Sequence, residues 1–241
     1  MKYEHVVKGF FVSRPNRFVA NVVIDHQPVS AHVKNTGRCK ELLVEGATLY
    51  LVDYKGDMRS RKYRYSIIGV EKQQEDGSVL MVNMDSLAPN TVVREAIMNG
   101  RISLDGFDPE KVNLKMEKTF GDSRLDIFLE QEGRQAFIEV KGVTLENNGK
   151  CMFPDAPTIR GVKHMEELIR VREAGMDAYV IFVLQMEGIR EFRPNDIMHP
   201  AFGDTLRRAA EAGVIPLAFE CQVTPDSLHI YRRVKIELYK I

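Results

Sequence analysis

Tryptophan is absent from this chain, cysteine occurs only three times, and 34 basic residues are cancelled by 34 acidic ones. Nor does any stretch approach the roughly 18 consecutive apolar residues that a membrane-spanning helix needs. The first residues, with Lys2, Glu4, His5 and Lys8 among few apolar ones, lack the pattern of a signal peptide. A soluble, unexported, cytoplasmic protein with no membrane partner is therefore expected. Cys39, Cys151 and Cys221 stand far apart without a Cys-x-x-Cys spacing, which argues against a disulfide framework and against a cysteine-built zinc site. They suit a reducing compartment. The zero net charge promises less grip on duplex DNA than a dedicated nuclease has. There is no internal repeat and no low-complexity tract.

What is present divides in two. At 241 residues the chain can bury a substantial core in two domains or one large one. Up to Asp85 it reads as short strands with turn punctuation: GFFVS, RFVANVVID, VSAHVK, ATLYLVDY, YRYSIIGVE and SVLMVNM. Strands of this number and spacing fit a small β-barrel. Residues 86–90, with Pro89 among them, mark the expected boundary between a domain at 1–85 and a second at 86–241. Beyond it helices and strands alternate. TVVREAIMNG is a helix with Asn90 as its cap and Gly100 as its stop, and strands follow around KMEKT, SRLDIFLE and QAFIEVKG. A helix is expected over 158–174, ended by Gly175; DAYVIFVLQ then has the near-continuous apolar run of a strand covered on both faces. PAFGDTLRRAAEAG reads as another helix and VIPLAFECQV as another buried strand, giving a mixed α/β domain.

The segments SRLDIFLE and QAFIEVKG carry the chemistry. Both alternate with a period of two: Leu125, Ile127 and Leu129 share one face of the first, Ala136, Ile138 and Val140 one face of the second. A hairpin loop over 131–134, closed by Glu130 and Gln135, puts Asp126 opposite Glu139. Opposite residues point to the same side with Cβ atoms roughly 4.5–5.5 Å apart, and Lys141 joins them two positions on. Two acids that close repel without a cation between them. Mg²⁺ binds through one or two carboxylates plus substrate phosphate, and Lys141 would then orient or deprotonate an attacking water and steady phosphate charge. The same residue types also describe a solvated cross-strand ion lattice in a chain that is 28% charged. Against the lattice, the register sets Phe128 beside Phe137 on the carboxylate face, which suggests a partly buried pocket where ionisable groups are more often functional.

The charge balance hides a local asymmetry: residues 1–85 hold 13 Lys or Arg against 10 Asp or Glu, and the remainder 21 against 24. KGDMRSRKYRY concentrates Lys55, Arg59, Arg61, Lys62 and Arg64 around Asp57, interleaved with Tyr63 and Tyr65. Cations with aromatics between them suit a phosphate backbone and stacked bases; an exposed hairpin with solvated charges has the same composition.

The motifs SRPNRFVA, AHVKNTGR, SLAPNTVVREAI, SRLDIFLE, EVKGVTL and FPDAPTIRGVKH, in that order over nearly the whole chain, resemble the sugar fermentation stimulation protein family. That resemblance implies a mixed α/β protein: an N-terminal OB-fold β-barrel followed by an α/β domain similar to the PD-(D/E)-x-K nucleases, DNA-binding, with a regulatory link to sugar metabolism. It implies that Asp126 matches the aspartate of the first catalytic strand, that Glu139 and Lys141 match the Glu-x-Lys of the next, and that the Val140 carbonyl completes the shell of a Mg²⁺ or Mn²⁺ ion. As accessory residues it points to Glu95 on the preceding helix and to Lys163 or His164 on the following one. A solvent-facing glutamate, a surface lysine and a structural histidine are the alternatives at those positions. Asp155 of FPDAPT is a ligand or a turn residue, and Arg38 of NTGR a phosphate contact or part of a glycine turn.

Three functions of different class follow. The first is a nucleic-acid-binding protein, on DNA and by extension RNA, with a metal-dependent nuclease site. Its phosphate contacts would come from Arg14, Arg17, Lys34, Arg38, Lys40, Arg59, Arg61, Lys62 and Arg64, with little sequence preference and strong salt dependence. The second is a catalytically silent DNA-binding regulator on the same fold. The third, a retaining glycosidase built on the paired carboxylates, ranks below both, because the chain has no tryptophan to stack on sugar and Lys141 has no part in that chemistry. The oligomeric state is open.

Overall fold

The computed structural model of the protein describes residues 1–35, 37–58 and 61–239. Six strands come first: β1 (Val6–Asn16), β2 (Val19–Ile24), β3 (Gln27–Val33), β4 (Thr48–Asp53), β5 (Tyr65–Gln73) and β6 (Val79–Asn83). Every second side chain of these strands is apolar, so Phe11, Ala20, Val22, Ile24, Ala31, Leu49, Leu51 and Ile67 bury together. A flat sheet would leave that face wet. Instead β3 pairs with β2 on one edge and, in parallel, with β5 on the other, closing the ring β1-β2-β3-β5-β4, to which β6 adds outside β5. This closed five-stranded barrel is OB-like, and all six expected strands are found, five in the ring and β6 beside it.

The remainder holds α1 (Ala88–Met98), β7 (Asn113–Phe120), β8 (Ser123–Gln131), β9 (Arg134–Val143), β10 (Glu146–Asn147), β11 (Lys150–Phe153), α2 (Ile159–Glu173), β12 (Asp177–Leu184), β13 (Glu191–Pro194), α3 (Pro200–Glu211), β14 (Ile215–Thr224) and β15 (Ser227–Ile236). They form one nine-stranded sheet in the order β10-β11-β13-β15-β14-β12-β9-β8-β7. At its centre β9, β12 and β14 run parallel. Tyr179, Ile181 and Val183 of β12 bury against α1, while Val180, Phe182 and Leu184 bury with α2 and α3; helices on both faces explain the uninterrupted apolar run of that strand. The α2-side cluster continues into the barrel interior. β10, β11, β13 and β15 lie outside the expected strands. The first three are short, and none is longer than four residues.

The β8–β9 turn is a two-residue one, Glu132-Gly133, because both adopt positive φ (50° and 83°) and so match the twist of the strands, leaving Gln131 paired with Arg134. Residues 1–3 leave the barrel for the other domain: Tyr3 N donates to Asp226 O and Leu228 N to Met1 O. Among the described residues no helix is long and apolar enough to cross a membrane.

Candidate functional site

The register that pairs Ile127 with Ile138 and Phe128 with Phe137 stops there, one pair short of Asp126 and Glu139. The strands part at the carboxylates. Val140 N, which faces β8, donates to Asp126 Oδ2 (2.8 Å) in place of a ladder carbonyl. Asp126 Oδ1 accepts from the Asn90 amide (2.8 Å). Asn90 is not the helix cap: Pro89 pre-sets the first turn, the helix starts at Ala88, and Leu87 takes the capping position without a side-chain bond. From that first turn Asn90 reaches down onto β8. α1 comes this close because β9 carries Gly142, where a Cβ would meet Pro89 Cγ at 2.8 Å and Gln185 Oε1 at 2.6 Å.

Glu139 is 2% exposed. Its Oε1 accepts from Lys141 Nζ (2.5 Å) and from His164 Nδ1 on α2. Arg160, one helical turn before His164, donates through Nε to His164 Nε2 (3.3 Å), so Nδ1 carries the proton presented to Glu139. Glu139 Oε2 is buried with no hydrogen-bond partner among the described residues. Phe128 and Phe137 pack beside these groups with ring centroids 4.9 Å apart, and Phe120 adds a third ring at 5.3 Å from Phe137. The carboxylates are thus withdrawn from solvent and hydrogen-bonded within the fold, not part of a solvated lattice.

Electrostatics divide the two acids. Burial pushes the Asp126 carboxyl up to about 6, and the Glu139 charge adds to the rise, against the opposing bonds from Val140 N and Asn90. Burial also works to raise Glu139, but the His164 bond and the Lys141 charge outweigh it and hold Glu139 below its usual range. One carboxylate is therefore firmly anionic while the other is forced towards its protonated form by the company it keeps. A divalent cation reverses that penalty. The available donors are Glu139 Oε2 and the remaining lone pairs of Asp126. Among the described residues no three His, Cys, Asp or Glu side chains gather to hold an ion, so water and phosphate oxygens would complete the shell, as Mg²⁺ and Mn²⁺ accept.

The other expected residues are placed as follows. Glu95 lies five residues beyond Asn90, about 140° further round the helix, and pairs with the N-terminal amine (2.6 Å), away from the carboxylates. Lys163 is exposed and donates to Asp122 O (3.2 Å). His164 alone of the accessory set meets the pair. Asn90, expected only as a helix cap, and Arg160 complete it and were not among the expected site residues. Helical spacing could have found Arg160, four residues before His164, whereas Asn90 needed the packing of α1 on β8.

Of the expected phosphate contacts, three are engaged internally. The Arg14 guanidinium donates to four carbonyls, those of Arg17, Asn35, Gly37 and Arg38, at 2.7–2.9 Å. Lys34 pairs with buried Asp85 (2.6 Å), and Arg64 grips Asp53 through Nε and Nη2 (2.6 and 2.5 Å). Arg14 and Lys34 thus hold loops rather than face solvent, whereas the Arg64–Asp53 pair lies on the exposed surface. Arg17, Arg38 and Lys40 line a cavity of about 490 Å³ on the barrel and form no ion pair among the described residues. Arg61 is exposed but pairs with Asp57 (3.9 Å) and donates to its carbonyl (3.1 Å), Lys62 is exposed, and Arg59 lies outside the described residues. Asp155 sits against Gly37, where the NTGR turn meets the second domain and a side chain on residue 37 would have no room.

Comparison with known proteins agrees with this architecture along the chain. The model of the SfsA N-terminal OB domain matches residues 12–81, and that of the sugar fermentation stimulation protein RE domain residues 87–227. A sugar fermentation stimulation protein homolog of Desulfitobacterium hafniense (strain DSM 10664 / DCB-2) is 47% identical over 238 residues, covering 99% of each chain. One of Clostridium beijerinckii is 48% identical over 238 residues, covering 99% of this chain and all of its own. Among solved structures, that of Pyrococcus furiosus SfsA in complex with Ca²⁺ superposes with a TM-score of 0.83 at 25% identity over 98% of both chains.

Proposed function

The chain belongs to the sugar fermentation stimulation protein family, and from that premise we propose that it binds nucleic acid through the barrel and carries, at the parting of β8 and β9, a divalent-metal site for phosphodiester hydrolysis. The observation that carries this reading is Glu139 Oε2, a buried carboxylate oxygen without a partner among the described residues, next to a second carboxylate whose ionisation burial and the Glu139 charge oppose. Such an arrangement is costly unless a cation occupies it. The Ca²⁺ in the Pyrococcus furiosus relative lends support.

Asp126 and Glu139 would hold Mg²⁺ or Mn²⁺, which when bound supplies charge to neutralise the phosphate and acidity to activate water. Asn90 and Val140 N fix Asp126, and His164 fixes Glu139, so both carboxylates are oriented before any ligand arrives. Lys141 stands beside Glu139, from where its ammonium can turn to a phosphate oxygen or hold the attacking water. Phosphate contacts by Arg17, Arg38, Lys40, Arg61 and Lys62 set register on the strand without reading sequence.

One feature favours a silent, regulatory DNA-binding protein: Lys141 is ion-paired to Glu139 rather than free. Purified protein incubated with DNA and RNA, in Mn²⁺ or EDTA and with a Glu139→Ala control, separates the two. Cleavage that needs the metal and disappears with the mutation is expected. Products that ignore both would remove the site from the reaction; binding with a steep salt slope and no products would leave the regulatory reading.

A further inference from the structure

Between the end of β3 and residues 61–63 the barrel opens a cavity of about 450 Å³, within the roughly 300–1,000 Å³ typical of small-molecule sites. Its walls include Tyr54, Tyr63 and Leu87, with His32 alongside and the cations Arg61 and Lys62. Each cation stands over an aromatic ring: the Arg61 guanidinium 4.2 Å from the Tyr54 centroid, Lys62 Nζ 5.6 Å from that of Tyr63. Positive charge and π-faces therefore meet in one place. A phosphate alone needs only the cations, and a purely apolar ligand needs only the walls. A nucleotide needs both.

Leu87 narrows the ligand further. It is 73% exposed, large for an aliphatic side chain in that state. Its position is nonetheless fixed, because its amide donates to Asp85 Oδ1 (3.0 Å) and the neighbouring Ser86 hydroxyl donates to Lys34 O (2.6 Å). It caps α1 three residues before Asn90, about 4.5 Å of helix rise, and Asn90 holds Asp126. The cavity and the carboxylate pair thus flank the same helix start. Burial and the nearby Lys34 charge lower the His32 pKa, so at neutral pH its ring offers a base edge both a donor and an acceptor. In duplex DNA the bases are stacked inside and cannot enter such a cavity.

We propose, building on the nucleic-acid reading above, that this cavity seats one unpaired nucleobase against Tyr54, Tyr63 and Leu87 with its phosphate between Arg61 and Lys62, so that the protein engages unpaired DNA beside the Asp126–Glu139 site.

The test titrates the full-length protein, in EDTA so that nothing is cut, into a labelled single strand, the matching perfect duplex, and the same duplex with a 2-aminopurine in an unpaired bulge. The single strand and the bulge should bind roughly 10-fold or more tighter than the perfect duplex, with the 2-aminopurine emission quenched by stacking. Tyr54→Ala or Tyr63→Ala should weaken binding of the unpaired forms roughly 10- to 100-fold and leave the duplex unaffected. Leu87→Glu, at an exposed site that folding does not need, should do the same. Equal affinity for all three forms, unmoved by the three variants, overturns the base pocket while the nucleic-acid function stands. Absence of binding to any of them overturns both. A dimer seen by sedimentation that Tyr54→Ala dissolves would assign the cavity to self-association and also overturn it.

Discussion

Replacing Asp126 with asparagine should stabilise the metal-free protein at neutral pH. A carboxyl moved by burial and by Glu139 from its ordinary 3.8 to about 6 makes the ionised folded state about 3 kcal/mol less favourable than an unperturbed carboxylate would. The sign follows from the direction. Because the folded value lies above the unfolded one, both states hold the proton below about pH 4 and the penalty is absent; it grows between about pH 4 and 6 and is complete above. Asparagine is isosteric, can still accept from Val140 N, and can pair with Asn90 once that amide turns over. In EDTA at neutral pH the variant should gain up to about 3 kcal/mol, a rise in melting temperature of roughly 6–12 °C, and near pH 4 it should melt with the wild type. Mn²⁺ at about 100 times its dissociation constant should then stabilise the wild type by about 2.7 kcal/mol and the variant by less, closing the gap. Thermal melts at the two pH values, with EDTA and with Mn²⁺, measure all four quantities. An Asp126→Asn protein that melts at or below the wild-type temperature at neutral pH in EDTA would refute the crowded-carboxylate account.

Asn90→Ala should lower metal affinity and cleavage by roughly 10- to 100-fold, the usual effect of losing a group that orients a ligand, whereas Glu95→Ala should leave both unchanged and cost at most about 1 kcal/mol for its exposed pair with the N-terminus; nuclease assays beside melting curves distinguish them. Arg14→Ala should destabilise the protein by about 3 kcal/mol through the loss of charge-assisted bonds to four carbonyls. Arg38→Ala should leave stability alone but lower the slope of log affinity against log salt by about 1; the two variants exchanging these phenotypes would reverse the assignment of the loop.

Several features were legible in the sequence because they depend on neighbours in the chain. Period-two alternation marked the five barrel strands and β6 beside them, and the apolar run of DAYVIFVLQ marked a strand between helices. The same alternation set the β8–β9 register and hence the side-by-side rings of Phe128 and Phe137, though not the tighter turn, which depended on Glu132 accepting positive φ. The charged residues were harder. A side chain's type says that it carries charge but not whether a carbonyl cluster, a buried aspartate or solvent receives it, so Arg14, Lys34 and Arg64 looked identical to Arg17, Arg38 and Lys40.

Asp126, Glu139 and Lys141 were placed together by the sequence alone, because in a hairpin spacing along the chain is spacing in space. Only the tertiary structure decided what surrounds them. α1 brings Asn90 and α2 brings His164 from segments 36 residues before Asp126 and 25 after Glu139, and burial between those helices turns an ordinary pair of surface acids into one anionic carboxylate and one that resists ionisation. Desolvation belongs to the packed molecule, not to any segment of it, and no local pattern encodes it.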